Sequence, residues 1–231
     1  STLLKLAARD RIIEHFPYIK LFEENNERDR TATPEELQSI LAQSDQHLKE
    51  ILLFLWDTGM RKGEALKLEW DRVDFKNEVI KLGALAKDGQ VDTKSKSSRM
   101  IPMGPRLKEL LLAIREREKG AKVKRLTGRT NRVFRFRGKA IDRFDRAFRT
   151  ACGKAGVEGL WIHDIRATFA TRKIDEGFDR DWVKIITGHR SDNVFKRYNR
   201  PKLASLRRVV SGDKTVNEVL TGVSVEKSES K

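Results

Sequence analysis

Apolar positions along the chain divide it into a mostly helical pattern with one short interruption. Leu3, Leu6, Ala7, Ile13 and Phe16 recur at helical spacing, and Pro17 then breaks the pattern before the charged stretch 23–30. This predicts one helix followed by a linker. Its apolar face needs a partner: either it is the last helix of a preceding domain, or it docks on the main core as a first helix. A chain that opens at Ser1 directly into a helical pattern carries the expectation that upstream sequence has been removed. Thr33-Pro34-Glu35-Glu36 reads as a helix start, with Thr33 as N-cap, Pro34 in the first turn and Glu36 closing a capping box. A second apolar helix is predicted over about 47–57, with Gly59 as a left-handed terminator before a helix that opens near Arg61.

Residues 70–103 change to alternation. Val73-Asp74-Phe75 and Val79-Ile80-Lys81-Leu82 flank a Lys-Asn turn, and Arg99-Met100-Ile101-Pro102 follows a loop containing Gly and Ser. Three short antiparallel strands are expected. From Pro105 onward the periodicity is helical again, and near the end Val216, Val219, Leu220 and Val223 form an i, i+3, i+4, i+7 stripe for docking on a neighbouring protomer or back on its own core. The expected fold class is α+β, mainly helical, with a small three-stranded antiparallel sheet. The expected division is 1–30 as the end of an upstream domain plus linker, 31–211 as the main domain and 212–231 as a tail.

With 231 residues, 38% of them hydrophobic, the chain can bury one main core plus a small appendage. Its net charge of +15 favours a polyanionic partner, because each Lys or Arg that neutralises a phosphate releases condensed counterions. Nucleic acid leads, while a solvated basic surface and a membrane-surface binder remain open on charge alone. Residues 113–150 hold 14 basic and four acidic side chains, enough to line a groove that tracks a phosphate backbone. Cys152 is the lone cysteine, so no internal disulfide can form, and no Cys- or His-rich spacing suggests structural zinc. Apolar runs such as 51–56 are far shorter than the roughly 18 residues of a membrane span, and no signal peptide is visible. A cytoplasmic, DNA-associated protein is expected.

The chemistry-bearing residues form an ordered set. Arg61, at the opening of a helix, is placed to bind phosphate, and Glu64 on the same face is placed to orient its guanidinium. His163 and Arg166 are three apart and so project from one helix face. Gly188-His189 follows the apolar-periodic stretch of Trp182, Val183, Ile185 and Ile186, and Tyr198 stands nine residues after His189; Tyr18 is the only other tyrosine. Two arginines can clamp non-bridging oxygens, two histidines can move protons or hydrogen-bond, and a phenol can serve as a covalent nucleophile.

Taken together, Thr58-Gly59-Met60-Arg61, His163-Asp164-Ile165-Arg166, Gly188-His189 and Tyr198 resemble the tyrosine recombinases of the phage-integrase type, over about 33–201. The resemblance implies a catalytic lysine on the strand hairpin. Lys94 takes that position relative to Arg99 and Pro102, with Lys87 and Lys96 as rivals because 84–92 is longer than the usual hairpin. It further implies that Arg61 and Arg166 hold the scissile phosphate, and that Tyr198 forms a 3′-phosphotyrosyl bond. By the same resemblance, Lys94 would protonate the leaving 5′ oxygen, His163 would assist proton transfer and His189 would hydrogen-bond the phosphate. No cofactor and no metal are implied. The implied partners are double-stranded DNA attachment sites and three further copies of the chain, a homotetramer on two duplexes with two protomers active at a time. Two positions depart from the family pattern: Thr187 stands where leucine is usual, and Ala167 where many members have another histidine. Competing functions are a type IB topoisomerase, which rejoins the same strand, and a DNA-binding module of the same fold without turnover.

Overall fold

The computed structural model describes residues 2–14, 30–83, 98–120, 131–189 and 195. Helix α1 (Thr2–Arg9) is shorter than the periodicity through Phe16 suggests. Arg11 adopts φ 57°, and the Ile12 and Arg11 amides donate to the Ala7 and Ala8 carbonyls at 2.8 and 3.1 Å. This is a Schellman ending, in which the reversed hydrogen bonds satisfy the last carbonyls and turn the chain. The ending is built on arginine instead of glycine, so nothing in the residue type announces it. Phe16, Pro17 and most of the charged stretch after it lie outside the described residues, as does the 216–223 stripe.

Helix α2 (Pro34–Ala42) begins as its sequence dictates. The Glu36 amide donates to Thr33 Oγ1 at 3.2 Å, and the Thr33 amide donates to Glu36 Oε2 at 2.9 Å. The Ala32 amide donates to Thr168 Oγ1 at 2.8 Å, which ties the domain entry to α7 (Ile162–Asp175). Helix α3 (Gln46–Thr58) buries Leu48, Ile51, Leu52, Phe54, Leu55 and Trp56, so a wide apolar face of it lies in the core, with Gln46, Lys49, Glu50 and Asp57 on the remaining side. It packs against α2, α5 (Pro105–Gly120), α7 and α4 (Lys62–Leu66). Gly59 caps α3 in the left-handed conformation, φ 59°, as expected.

The sheet follows the predicted order. Strands β1 (Val73–Asp74), β2 (Val79–Leu82) and β3 (Arg99–Pro102) are antiparallel neighbours, with Val73 opposite Ile80, Ile80 opposite Ile101 and Leu82 opposite Arg99. Phe75 belongs to the turn instead of the first strand, and the Asn77 amide donates to Asp74 Oδ1 across that turn at 3.0 Å. Val73, Ile80, Leu82 and Ile101 face the core. Because side chains alternate along a strand, Arg99 shares the buried face with Ile101.

A second, two-stranded sheet was not expected after Pro105. Strands β4 (Arg135–Phe136) and β5 (Lys139–Ala140) pair across Arg137 and Gly138, both at positive φ, the two-residue turn that matches strand twist. The surrounding arginines hide the short apolar alternation there, and the Arg-Gly turn is the one local signal. Helices α6 (Asp145–Lys154), α7 and α8 (Arg180–Thr187) complete the domain, with Asp179 accepting from the Asp181 and Trp182 amides at the start of α8. Among the described residues no helix is long and apolar enough to cross a membrane. The result is the mainly helical α+β architecture that the sequence predicts.

Gly59 has no room for a side chain, since a Cβ would fall 2.4 Å from Phe169 Cδ1. Left-handed backbone adds roughly 1–2 kcal/mol for a non-glycine residue. Gly59→Ala is therefore expected to destabilise the domain by more than about 2 kcal/mol, read as a lowered urea midpoint with an unchanged slope.

Candidate active site

Two helix ends meet at the site, and each catalytic candidate is held by the other's corner. Arg61 is the N-cap residue of α4. Its Nη1 donates to Glu64 Oε1 at 3.0 Å, its backbone amide donates to Glu64 Oε2 at 3.0 Å, and its Nη2 donates to the Gly188 carbonyl at 3.0 Å. Arg166 lies in α7 and is nearly fully buried; its Nη1 donates to the Gly59 carbonyl at 2.8 Å. Gly59 and Gly188 are the left-handed caps of α3 and α8, so their carbonyls lie at the negative ends of those helices, where a cation is favoured.

His163 stands exposed in the first turn of α7, beneath which Ile165, Phe169 and Ala170 are buried. The α7 start is fixed by Asp164, whose Oδ2 accepts the Trp161 amide at 2.8 Å. His189 follows the α8 cap, with Arg166 Nη2 3.1 Å from its Nε2 and 3.3 Å from its Nδ1. Burial, reinforced by the charges of Arg166, Arg61, His163 and Arg99, depresses its pKa from the ordinary 6.5 to about 3. The ring is neutral at physiological pH. Its centroid lies 5.3 Å from that of Phe195, which is buried against Phe169, Ala170 and Val183, three residues before Tyr198. Tyr198, Lys94, Lys87 and Lys96 lie outside the described residues. The fold thus gathers Arg61, Glu64, Arg166 and His189, with His163 at the edge.

Arg99 was not singled out as a site residue, yet it holds the site together. Its Nη2 donates to Glu64 Oε2 at 2.6 Å, its Nη1 to Oε1 at 3.3 Å and its Nε to the Ile186 carbonyl at 2.9 Å. Both side chains of the pair are almost wholly buried, 3% and 4% exposed. The guanidinium packs on Gly188, where a Cβ would fall 2.8 Å from Nη1. The available signal was its strand register with Ile101; it was missed because an arginine at a strand start is ordinarily solvent-facing. Burial alone pushes the Glu64 carboxyl upward. The hydrogen bonds and charges of Arg99 and Arg61 outweigh that effect, and its pKa falls below the ordinary value. One carboxylate therefore faces Arg99, Arg61 and, beyond them, Arg166. The balance is cationic, which suits a phosphate whose charge grows on its non-bridging oxygens.

Arg99→Met is expected to cost on the order of 3 kcal/mol, because it strands a buried carboxylate, and adding Glu64→Gln is expected to recover part of the loss; urea denaturation of the three variants measures both. His189 is expected to show no protonation step above pH 5 in an NMR titration of the DNA-free protein. Its folded pKa lies below the unfolded one, so the unfolded chain takes up the proton first and stability falls as pH drops from about 6.5 towards 3. His189→Asn should flatten that part of the stability profile.

The model of the phage integrase family matches residues 30–204. The integrase of Salmonella phage P22 is 25% identical over 209 residues, covering 86% of this chain and 51% of that protein. This chain spans about half the length of the curated relatives it matches. Among solved structures, the Tn1549 transposon integrase in complex with transposon right end DNA aligns with a TM-score of 0.68 at 22% identity, over 91% of this chain and 75% of that one. A lambda integrase tetramer bound to a Holliday junction aligns at 0.64 and 18% identity, over 85% and 57%. The structural likenesses establish the fold, the 30–204 match extends from the domain entry past Tyr198, and on that match the chain belongs to the phage integrase family.

Proposed function

We propose that residues 31–211 form the catalytic domain of a site-specific DNA recombinase that cleaves and rejoins double-stranded attachment sites through a 3′-phosphotyrosyl intermediate. The observation that carries this reading is the paired anchoring of Arg61 and Arg166, on the Gly188 and Gly59 carbonyls, beside a neutral His189. Fixed guanidinium forks are suited to the two non-bridging oxygens of one phosphate, and their charge does not vary near neutral pH. Tyr198 Oη attacks phosphorus, the P–O bond to the 5′ oxygen breaks, and Lys94 supplies the proton that makes the leaving group a 5′ hydroxyl. His163 assists removal of the phenol proton. The phosphotyrosyl bond conserves the phosphodiester energy, so a 5′ hydroxyl of a partner duplex reverses the step without a nucleotide cofactor, and the cationic side chains take the place a metal ion would fill.

Exchange between two duplexes needs four active sites, and a homotetramer is the corresponding assembly. The lambda integrase structure, a tetramer on a Holliday junction, supports that reading by analogy of fold.

A suicide substrate, nicked near the scissile phosphate of a candidate attachment duplex and incubated in EDTA, tests the chemistry. Wild type is expected to give a protein–DNA band on a denaturing gel, and Tyr198→Phe none while retaining DNA binding. An adduct from Tyr198→Phe would remove the nucleophile assignment. Arg166→Ala is expected to lower the cleavage rate by about 100-fold or more with a much smaller change in affinity.

A further inference from the structure

Thr187, at the position where the family resemblance leads one to expect leucine, is fully buried in the last turn of α8. Its Oγ1 lies 2.7 Å from the Val183 carbonyl oxygen, 3.2 Å from the Lys184 carbonyl oxygen and 2.7 Å from His189 Nδ1. A hydroxyl has one proton to give. Carbonyl oxygens have none, so two oxygens at 2.7 Å require that the Thr187 proton point to Val183. Oγ1 then offers Nδ1 only lone pairs. An unprotonated Nδ1 at the same distance would set lone pair against lone pair, so Nδ1 must carry the ring proton.

Arg166 does not make this choice. Its Nη2 is almost equidistant from the two ring nitrogens, 3.1 Å from Nε2 and 3.3 Å from Nδ1, so its N–H can be directed to whichever of them is unprotonated. The ring is also kept from rotating freely, with Phe195 against it and the Gly188 carbonyl before it held by Arg61.

We propose that Thr187 is a positioning residue that locks His189 in its Nδ1–H tautomer and leaves Nε2 as the ring nitrogen that meets the DNA phosphate. The second half of this statement rests on the recombinase reading; the first half does not. The charged or ionisable groups around the ring are Arg166, His163, Arg61 and Arg99, with Glu64 bound to the last two. Without an anion they keep the ring neutral. When a phosphate enters, its negative charge offsets them, Nε2 takes up a proton released by the buffered solvent and donates a hydrogen bond to a non-bridging oxygen, and Nδ1–H stays with Thr187. A leucine at residue 187 would give Nδ1 no acceptor, so here the hydroxyl supplies the direction in which the ring can act.

The test reads the tautomer directly. Long-range proton–nitrogen NMR spectra of histidine-labelled, DNA-free protein distinguish protonated from bare ring nitrogens, and His189→Gln assigns its signals among the four histidines. Wild type is expected to show Nδ1–H, Thr187→Ser to keep it, and the isosteric Thr187→Val to lose it, with the other three histidines unmoved as the control for folding. An Nε2–H ring in wild type, or a Thr187→Val spectrum identical to wild type, would overturn the lock. On the suicide substrate, Thr187→Val is expected to slow adduct formation by about tenfold with unchanged duplex binding, and Thr187→Ser to restore it. A changed tautomer with an unchanged cleavage rate would refute the positioning role. Absence of adduct from wild type itself would strike at the recombinase reading, while the NMR result would still decide the tautomer.

Discussion

The site depends on the buried pair of Arg99 and Glu64. Three pieces of the chain meet there: Arg99 comes from β3, Glu64 from α4, and the Ile186 carbonyl from the end of α8. Desolvating two charges is costly, and such a pair adds little net stability over apolar packing. What it contributes is geometry. The carboxylate has two oxygens, and both are used twice: Oε1 receives Arg61 Nη1 and Arg99 Nη1, while Oε2 receives the Arg61 amide and Arg99 Nη2. The orientation of Arg61 is therefore set by a residue on the sheet, and moving that strand moves the proposed phosphate clamp. Lys94, the proposed proton donor, stands five residues before Arg99 in the sequence.

The same economy appears at the two glycine caps. A helix ends with carbonyls that have no intrahelical partner, and a left-handed cap turns the chain sharply enough to present one of them sideways. The Gly59 carbonyl takes Arg166, from α7; the Gly188 carbonyl takes Arg61, which follows Gly59 by two residues. The two arginines are thus cross-braced, each fixed by the helix end next to the other's neighbours. Gly188 also lets Arg99 approach closer than any side chain would permit. The result is a cluster of fixed positive charge in which an imidazole is kept neutral until an anion enters.

Thr187 shows how one departure from a family pattern changes what a site can do without changing its fold. Its side chain is fully buried, and its hydroxyl bonds back to Val183 as buried helical threonines do. That back-bond spends the hydroxyl proton, which is why the remaining lone pair can dictate the state of His189.

The sequence by itself determined what is local. The Thr33–Glu36 capping box, the Gly59 terminator, the i, i+3 pairing of Arg61 with Glu64 and the common face of His163 and Arg166 all depend on contacts within about four residues, and chain geometry alone fixes those. The order and spacing of the motifs carried the family. Local signals failed where the residue type did not advertise its conformation, at the arginine-built end of α1 and the Arg137-Gly138 hairpin. Only the tertiary structure decided the rest. Arg99 finds Glu64 across 35 residues, Arg166 finds Gly59 across 107 and Arg61 finds Gly188 across 127. These partners are chosen by how α3, α7, α8 and the sheet pack, and the burial that packing creates is what makes a carboxylate retain its charge and a histidine surrender it.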